Sequence, residues 1–394
     1  MSTLTDAALH YHRHPKPGKL ATELPKPMES SEDLALAYSP GVAEPVKAII
    51  KDPEAAYHFT GKGNLVGVIS NGSAILGLGN QGPLAAKPVM EGKAALFKKF
   101  ADIDAFDIEI DAKQPEEMIQ VIQALAPTFG GINLEDIKAP ECFLVEQTLQ
   151  ERLNIPVFHD DQHGTAITIG AALLNAVIIQ EKKLDAIKVV IYGAGASALA
   201  SGHFLHALGL DVSQMTFLDS RGVIHDERTD LNPYKQAFAK KTTHRTLHDT
   251  LREADVLICL AGASIDDAST LLPLMADRPI IFTLSNPTPE IDPILIKTLR
   301  PNAIIATGLS NLNNQVNNVV CFPYIFRGAL DARATHISTD MMIAAAHAIQ
   351  SIAQQPPVDT SLVFGPEYIL PKPNDLRLRE IVPKAVQKAY EDSL

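Results

Sequence analysis

Residues 131–161 read GINLEDIKAPECFLVEQTLQERLNIPVFHDD. Two apolar runs in this stretch, Gly131–Leu134 and Pro156–His159, are predicted to be buried strands, and each is followed by two adjacent carboxylates. Between them, Pro140–Leu153 is predicted to be a helix with proline at a favourable first position. A strand–helix–strand crossover is almost always right-handed and makes its two strands parallel. Both acidic pairs are therefore expected at one sheet edge, where ligands bind in open α/β sheets.

The two acidic pairs are Glu135-Asp136 and Asp160-Asp161. Four carboxylates side by side would be costly unless a cation joined them. Three or so hard oxygen ligands suit Mg²⁺ or Mn²⁺ better than zinc. The alternative interpretation is that these acids are helix caps and solvated loop residues, as single acidic pairs usually are. Two pairs at consecutive strand ends favour the metal site, and both interpretations stay open on this feature alone.

Composition limits the classes of protein that the chain can belong to. Its 394 residues suffice for about two or three domains, and 46% hydrophobic with 20% charged residues suits a globular protein with a sizeable core. A net charge of −12 excludes nucleic acid as an expected partner. The longest apolar region, Ala166–Ile179, is shorter than the ~20 residues of a membrane span. With no secretory signal and three sparse cysteines, we expect a cytoplasmic protein without disulfides.

Two successive sets of strand-like and helix-like segments predict an α/β fold with two domains. The first domain is expected to span residues 1–160, and its proline-bearing residues 1–30 are expected to form an extended arm. The second, residues 161–394, begins with a long helix over His163–Gln180 and continues as a Rossmann-like, doubly wound parallel sheet. Its C-terminal part is predicted to be helical, with Pro383 breaking a helix or starting a new one.

A glycine-rich turn predicts a dinucleotide site in the second domain. The strand-like Ile187–Tyr192 leads into GAGASA over residues 193–198 and then into a helix-prone run. The first glycine permits the tight turn, the second lets the backbone approach a pyrophosphate, and the final alanine allows close helix–strand packing. The alternative is an ordinary strand–helix turn. The residues predicted from this pattern to bind the cofactor are Gly193, Gly195, Ser197, Ala198, Asp219 and Arg221.

Asp219 and Arg221 bear on which nicotinamide dinucleotide binds. Asp219 ends the next strand, about 20 residues after the glycine turn, where a ribose-binding carboxylate is expected. It favours NAD by accepting from the ribose 2′-hydroxyl, whereas Arg221 could pair with the 2′-phosphate of NADP. The sequence therefore predicts NAD or NADP as cofactor.

Taken together, these motifs resemble the malic enzymes, in particular their short bacterial form. The likeness covers nearly the whole chain beyond the arm, and it extends to the catalytic part of the long bacterial malic enzymes. The matching stretches are AYSPGVAEP from Ala37, GLGNQGPLAAKPVMEGKAALFKKF from Gly77, FGGINLEDIKAPECF from Phe129, FHDDQHGTA from Phe158, YGAGASALA from Tyr192, SNPTPE from Ser285 and NNQVNNVVCFPYIFRGALD from Asn313. The resemblance implies oxidative decarboxylation of malate to pyruvate and CO₂ with NAD or NADP and Mg²⁺ or Mn²⁺.

The resemblance also implies roles for individual residues. Tyr38 corresponds to the general acid and Lys93 to the general base, with Asp160 as the acid that pairs with the lysine. Three carboxylates correspond to the metal ligands, and two amides correspond to residues that hold substrate and cofactor. These are Glu135, Asp136 and Asp161 for the metal, Asn286 for cofactor and substrate, and Asn318 for substrate.

This chain departs from the family pattern at three places. Ala74 stands where larger malic enzymes have a substrate-binding arginine, and Asn80-Gln81 replaces an acidic and an aliphatic residue. The stretch from Leu309 to Asn313 is less polar than in relatives. These changes concern recognition of the substrate carboxylate and leave the residues implied in the chemistry unchanged.

Two other functions are compatible with the same scaffold. A metal-dependent oxaloacetate decarboxylase would use the metal without turning over nucleotide, and a non-catalytic sensor would only bind dinucleotide. The intact glycine turn disfavours the first, and the retained Lys93 and Tyr38 disfavour the second. We also expect a homodimer or a higher homo-oligomer, because residues 1–30 have too few large apolar groups to fold alone and lead directly into Tyr38.

Overall fold

The chain begins with short helices that pack little against the rest of the molecule. The structure, a computed structural model, describes residues 3–357 and 361–394, so the first two residues of the expected arm lie outside it. The prediction of an extended arm is wrong for Leu4–Arg13. These ten residues form a helix, because Thr3 and Asp6 close a reciprocal capping box at its start. The first helices are α1 (Leu4–Arg13), α2 (Ser31–Ala37), α3 (Ala43–Lys51) and α4 (Ala56–Phe59).

The first sheet has four parallel strands in the order β2-β1-β3-β4. Its strands are β1 (Leu65–Ser70), β2 (Asp104–Glu109), β3 (Gly131–Leu134) and β4 (Val157–His159). The helices between them are α5 (Pro83–Ala101), α6 (Pro115–Leu125) and α7 (Glu141–Arg152). The parallel pairing of β3 with β4 around α7 confirms the predicted crossover and brings both acidic pairs to one sheet edge.

The long helix α8 (Asp160–Ile179) begins three residues earlier than predicted, at the first residue of the second acidic pair. Asp160 and Asp161 therefore occupy its first turn, where unpaired N–H groups favour negative charge. By length and composition α8 could cross a membrane, but 72% of its most apolar window is buried inside the molecule, as in a core helix. The sequence predicts Pro140 as the first helical residue of α7. In the structure Pro140 lies one position earlier, as the N-cap residue.

The second sheet has six strands in the order β10-β9-β8-β5-β6-β7, and only β7 runs antiparallel to its neighbour. The direction of strand addition reverses between β5 and β8, which is the switch point of a doubly wound fold. Its strands are β5 (Val189–Tyr192), β6 (Met215–Asp219), β7 (Gly222–Val223), β8 (Val256–Cys259), β9 (Ile280–Thr283) and β10 (Ile304–Thr307). The helices between them are α9 (Ala196–Ala207), α10 (Pro233–Gln236), α11 (Leu247–Leu251), α12 (Ala268–Leu271) and α13 (Pro293–Leu299).

Three helices complete the chain: α14 (Phe322–Asp331), α15 (Thr339–Gln354) and α16 (Arg377–Glu391). The predicted break at Pro383 is wrong, because α16 continues through this residue. Pro383 is buried where α16 packs on α14, and a Cβ at Gly328 would lie 2.6 Å from the Pro383 carbonyl oxygen. Close helix–helix packing thus outweighs the helix-breaking tendency of proline. The two sheets and C-terminal helices confirm the predicted α/β class.

A cluster of aromatic rings joins the first domain to the C-terminal helices. Phe97 of α5 lies edge-on against Phe322 and Phe326 of α14, with ring centroids 4.9 and 5.2 Å away. Phe158 of β4 lies 5.8 Å from Phe326 in the same geometry. All four rings are fully buried, and edge-to-face pairs add to the stability gained from burial. The division at residue 160 stays a prediction, since one hydrophobic core runs through both halves.

Replacement of Phe97 tests this connection. We expect Phe97→Ala to lower the free energy of unfolding by about 3–5 kcal/mol, because it leaves a cavity between α5 and α14. The matched control is Phe106→Ala on β2, where the ring is half exposed. Urea denaturation of both variants measures the effect. Equal losses at the two positions would contradict the role of the aromatic cluster.

Candidate active site

Lys93 lies buried among the carboxylates that the sequence places at the sheet edge. Its Nζ donates to Asp160 Oδ2 at 2.5 Å and forms an ion pair with Glu135 Oε1 at 2.8 Å. The ammonium also lies over the ring of Phe322, 4.1 Å from its centroid. The structure therefore brings together α5, the end of β3 and the start of α8. Lys93 and the four acids of the two pairs form one cluster, which we call the acid–lysine cluster: Lys93, Glu135, Asp136, Asp160 and Asp161.

Asp136 and Asp161 are connected through the backbone. The N–H of Asp136 donates to Asp161 Oδ2 at 2.8 Å. Asp136 has φ of +52°, in the left-handed region, which a short polar residue tolerates better than a branched one. Its carbonyl accepts from the N–H of Ala74 at 2.9 Å. The departure from the family at Ala74 thus lies directly beside the acid–lysine cluster.

Burial and mutual repulsion set the ionisation of these groups. Burial raises the pKa of Glu135 and of Asp161, and repulsion from neighbouring carboxylates raises both further against the attraction of Lys93. Burial also raises the pKa of Asp160 to about 6, although Lys93 opposes this. For Lys93, burial alone would lower the pKa, but attraction to the carboxylates outweighs it and the pKa is raised. With the protein's own charges, Lys93 is therefore a firmly protonated ammonium.

The donor set of the cluster suits a hard divalent cation. Glu135, Asp136 and Asp161 offer only oxygen atoms, and the four acids of the cluster face one lysine. Asp160 Oδ1 is buried without a hydrogen bond from any residue in the described part of the chain. Within that same part no three acidic, histidine or cysteine side chains converge as a ready-made metal site. The residues thus fit the cation by charge and chemistry; in this structure Glu135 pairs with Lys93, and one oxygen of Asp161 accepts from the Asp136 N–H.

A buried glutamate that the sequence analysis did not single out holds the start of α8. Glu146 of α7 accepts from the backbone N–H of His159 at 2.8 Å and from Gln162 Nε2 at 3.0 Å. Its Oε2 also lies 3.0 Å from His163 Nε2. These contacts fix the β4–α8 junction on either side of the acidic pair. His159 itself is completely buried.

The glycine turn forms one wall of a cavity of about 320 Å³ at the switch point of the second sheet. Gly193 has φ of +132°, and a Cβ there would lie 2.8 Å from the Leu260 carbonyl oxygen, so glycine is required. Gly195 is the N-cap residue of α9, and Ala198 is fully buried against the sheet. The hydroxyl of Ser197 donates to the Asp161 carbonyl at 2.8 Å. The predicted dinucleotide turn is therefore in direct contact with the acid–lysine cluster.

Asp219 ends β6 beside this cavity, as predicted, but its carboxylate is already bound to cations. Arg228 donates to both oxygens, at 2.8 and 3.0 Å, and Lys235 Nζ donates to Oδ2 at 2.8 Å. Burial alone would raise the pKa of Asp219, but these hydrogen bonds outweigh it and lower the pKa to about 2. Arg221 lies at the surface, 71% exposed, and pairs with Asp230. Arg228 and Lys235 were not found by sequence reasoning.

The two predicted amides lie in different surroundings: Asn286 is in the loop after β9, and Asn318 begins a short 3-10 helix beside α8. The side chain of Asn286 lies against Gly308: a Cβ at Gly308 would lie 2.6 Å from Asn286 Nδ2. A Cβ at Gly164, on α8, would lie 3.2 Å from the Cβ of Asn318. A second buried glutamate supports the Asn286 loop: Glu290 accepts from Ser285 Oγ at 2.5 Å and from Ala261 N–H at 3.1 Å. It thereby joins the loops that follow β8 and β9.

Tyr38 is the one implied catalytic residue that the structure leaves apart from the others. It caps the C-terminal end of α2, and its side chain is 75% exposed. No hydrogen bond within residues 3–357 and 361–394 joins its hydroxyl to Lys93 or to the acids around it. The site of a single chain therefore contains the implied base and lacks the implied acid.

Comparison with known proteins supports the same assignment over almost the whole chain. Residues 17–150 match the malic enzyme N-terminal domain, and residues 162–377 match the malic enzyme NAD binding domain. An NADP-dependent malic enzyme of Halomonas elongata is 53% identical and covers 98% of this chain and 93% of its own length. An NAD-dependent malic enzyme of Rhizobium meliloti is 51% identical over 98% of this chain.

The chain spans 51% of the Rhizobium protein and about half the length of several other curated relatives. Among solved structures, a malic enzyme from Pyrococcus horikoshii superposes with a TM-score of 0.92 at 42% identity. That comparison covers 99% of this chain and 91% of the other. Both domains, the relatives and the fold agree with the geometry of the site, and the chain belongs to the malic enzyme family.

Proposed function

We propose that the chain oxidatively decarboxylates malate to pyruvate and CO₂ while reducing a nicotinamide dinucleotide, with a divalent cation held by Glu135, Asp136 and Asp161. The observation that carries this proposal is the direct contact between two sites. The first turn of α9, at the dinucleotide cavity, is hydrogen-bonded through Ser197 to Asp161 in the acid–lysine cluster. Substrate held at the cluster is therefore beside a bound dinucleotide, which hydride transfer requires.

Lys93 is the group placed to take a proton from the substrate. When bound, a divalent cation supplies Lewis acidity towards malate and competes with Lys93 for the same carboxylates. The carboxylates then stabilise the protonated form of Lys93 less, and its neutral amine accepts the proton of the C2 hydroxyl. Asp160 keeps the Lys93 Nζ in position. The hydride leaves C2 for the nicotinamide. The C3–C4 bond then breaks, C4 departs as CO₂, and the electron pair stays as the enolate of pyruvate. Tyr38 protonates C3 of this enolate, which gives pyruvate.

Replacement of Asp161 tests the metal and the reaction together. We expect Asp161→Ala to lower malate-dependent nucleotide reduction in the presence of Mn²⁺ by more than about a hundredfold, because even supporting partners of metal ligands are worth about 10–100-fold. Dinucleotide binding, measured separately, should persist. The matched control is Asp185→Ala at an exposed position. Full activity of Asp161→Ala, or of the wild type after thorough chelation, would overturn the metal assignment.

The same assay separates the alternative function. An oxaloacetate decarboxylase would release CO₂ from oxaloacetate without changing nicotinamide absorbance and would leave malate unchanged. The glycine turn of the dinucleotide cavity, where the close approach to Leu260 requires glycine at position 193, favours the oxidative reaction.

A cytoplasmic location is part of the proposal, because Cys142, Cys259 and Cys321 are all free and buried, as suits a reducing compartment.

We further propose that the enzyme is a homodimer whose active sites each take Tyr38 from the neighbouring subunit. The surface around Tyr38 is rich in exposed apolar side chains. Neither α2 nor α3 buries a residue against the rest of its own chain. Such a patch is typical of an interface, and a second copy is the commonest partner. The exposed apolar side chains of this surface are Leu34, Leu36, Val42, Val46, Ile50 and Phe59.

Mixed dimers test the shared site. Tyr38→Phe and Lys93→Ala subunits are each expected to be inactive, and after exchange about a quarter of wild-type activity should return, since half of the dimers are mixed and one site in each is intact. Mixing Lys93→Ala with Asp160→Ala is the control, because both residues belong to the cluster of one chain. Recovery equal to the control, despite proven subunit exchange, would place Tyr38 in its own chain's site.

A further inference from the structure

A buried glutamate of α7 contacts the first turn of α8, which carries two acids of the acid–lysine cluster. We propose that Glu146 is a positioning residue for the divalent cation: it fixes the direction in which Asp160 and Asp161 leave this turn and thereby sets the affinity of the cation site. The inference rests on the proposed function, because it concerns the cation that this function uses. It gives a role to a buried carboxylate that takes no part in the proposed proton and hydride transfers.

The two oxygens of Glu146 bind residues on either side of the acidic pair. Its Oε1 accepts from the backbone N–H of His159, immediately before the pair, at 2.8 Å. Its Oε2 accepts from Gln162 Nε2, directly after the pair, at 3.0 Å. The same Oε2 lies 3.0 Å from Nε2 of the next residue, His163. One carboxylate therefore spans the acidic pair and holds the chain at both of its ends.

These contacts replace a local cap at the start of α8. The N-cap residue, His159, makes no capping hydrogen bond with its side chain. In a capping box, a Glu or Gln at the third helical position accepts from the N–H of the N-cap residue. Gln162 occupies that position, but its side chain donates to Glu146, and Glu146 accepts from the His159 N–H in its place. The first turn of α8 is thus fixed from another helix, whose Val145 and Leu149 are fully buried.

The cluster holds the acidic pair from the other side, through contacts that a cation would disturb. Asp160 accepts from Lys93, and Asp161 Oδ2 accepts from the Asp136 N–H at 2.8 Å. A cation that binds the carboxylates competes with these donors. The contacts of Glu146 lie outside the cluster and persist when the cation binds, so they keep the first turn in place. Partners that orient metal ligands are typically worth about 10–100-fold in metal affinity.

The decisive variant is Glu146→Met, which keeps the length of the side chain and removes both acceptors. Mn²⁺ binding, followed by electron paramagnetic resonance of the free ion, should weaken by about tenfold, the lower end of that range, because Glu146 acts through the backbone of α8. Dinucleotide binding should be unchanged. The apparent KM for Mn²⁺ should rise in parallel, while kcat at saturating Mn²⁺ stays within about threefold of the wild type. Glu146→Gln should restore the affinity to within about threefold, because its amide oxygen can still accept from the His159 N–H.

Glu151→Met is the matched control, since Glu151 is an exposed glutamate on the same helix, and it should leave Mn²⁺ binding unchanged. His163→Leu removes one partner of Glu146 at a position that is 26% exposed, and it should weaken Mn²⁺ binding by about threefold, the value of one hydrogen bond. This variant decides the test if Glu146→Met does not fold.

Unchanged Mn²⁺ affinity in the folded variants, or equal losses of Mn²⁺ and dinucleotide binding, would overturn the positioning role of Glu146. Stoichiometric Mn²⁺ binding by a wild type that does not turn over malate would instead refute the proposed reaction alone. The two failures are therefore distinguishable.

Discussion

Electrostatic repulsion among four carboxylates at one sheet edge is the constraint around which the rest of the site is organised. Glu135 and Asp160 are held by a single ammonium, and burial raises the pKa of each acid because water is excluded. The cluster therefore tolerates its charge only while positive charge lies within it. Lys93 meets this requirement in the structure, and the proposed divalent cation meets it during catalysis. One site thus serves both stability and chemistry.

The two sheets are joined so that this cluster contacts the turn that borders the dinucleotide cavity. Helix α8 starts with the second acidic pair, and the α9 turn contacts it through Ser197. Buried carboxylates outside the cluster act as supports: Glu146 fixes the start of α8, and Glu290 joins two loops of the second sheet. Buried charged groups that are fully hydrogen-bonded make a local geometry rigid, and rigid positioning is what proton and hydride transfer require.

Local sequence patterns predict the parts of the site that depend on neighbours in the chain. The crossover between the acidic pairs, the glycine turn and the position of Asp219 follow from periodicity and spacing, and all lie where expected. The partners of these residues could not be predicted, because Arg228 and Lys235 reach Asp219 through tertiary folding. The same reason applies to Pro383, where packing on α14 keeps α16 continuous. Helix α1 differs, because Thr3 and Asp6 are a local signal from which it could have been predicted. The roles of Tyr38 and Lys93 came from family resemblance, since neither residue is distinctive by itself.

The central claim is that Lys93 and a divalent cation compensate the same carboxylates. Titration of the intact protein with Mn²⁺, followed by electron paramagnetic resonance of the free ion, measures this without turnover. One Mn²⁺ should bind per wild-type chain, Glu135→Gln should lose this binding, and Lys93→Met should bind Mn²⁺ more tightly than the wild type because the competing ammonium is gone. Absence of stoichiometric binding in the wild type, or weaker binding in Lys93→Met, would contradict the account.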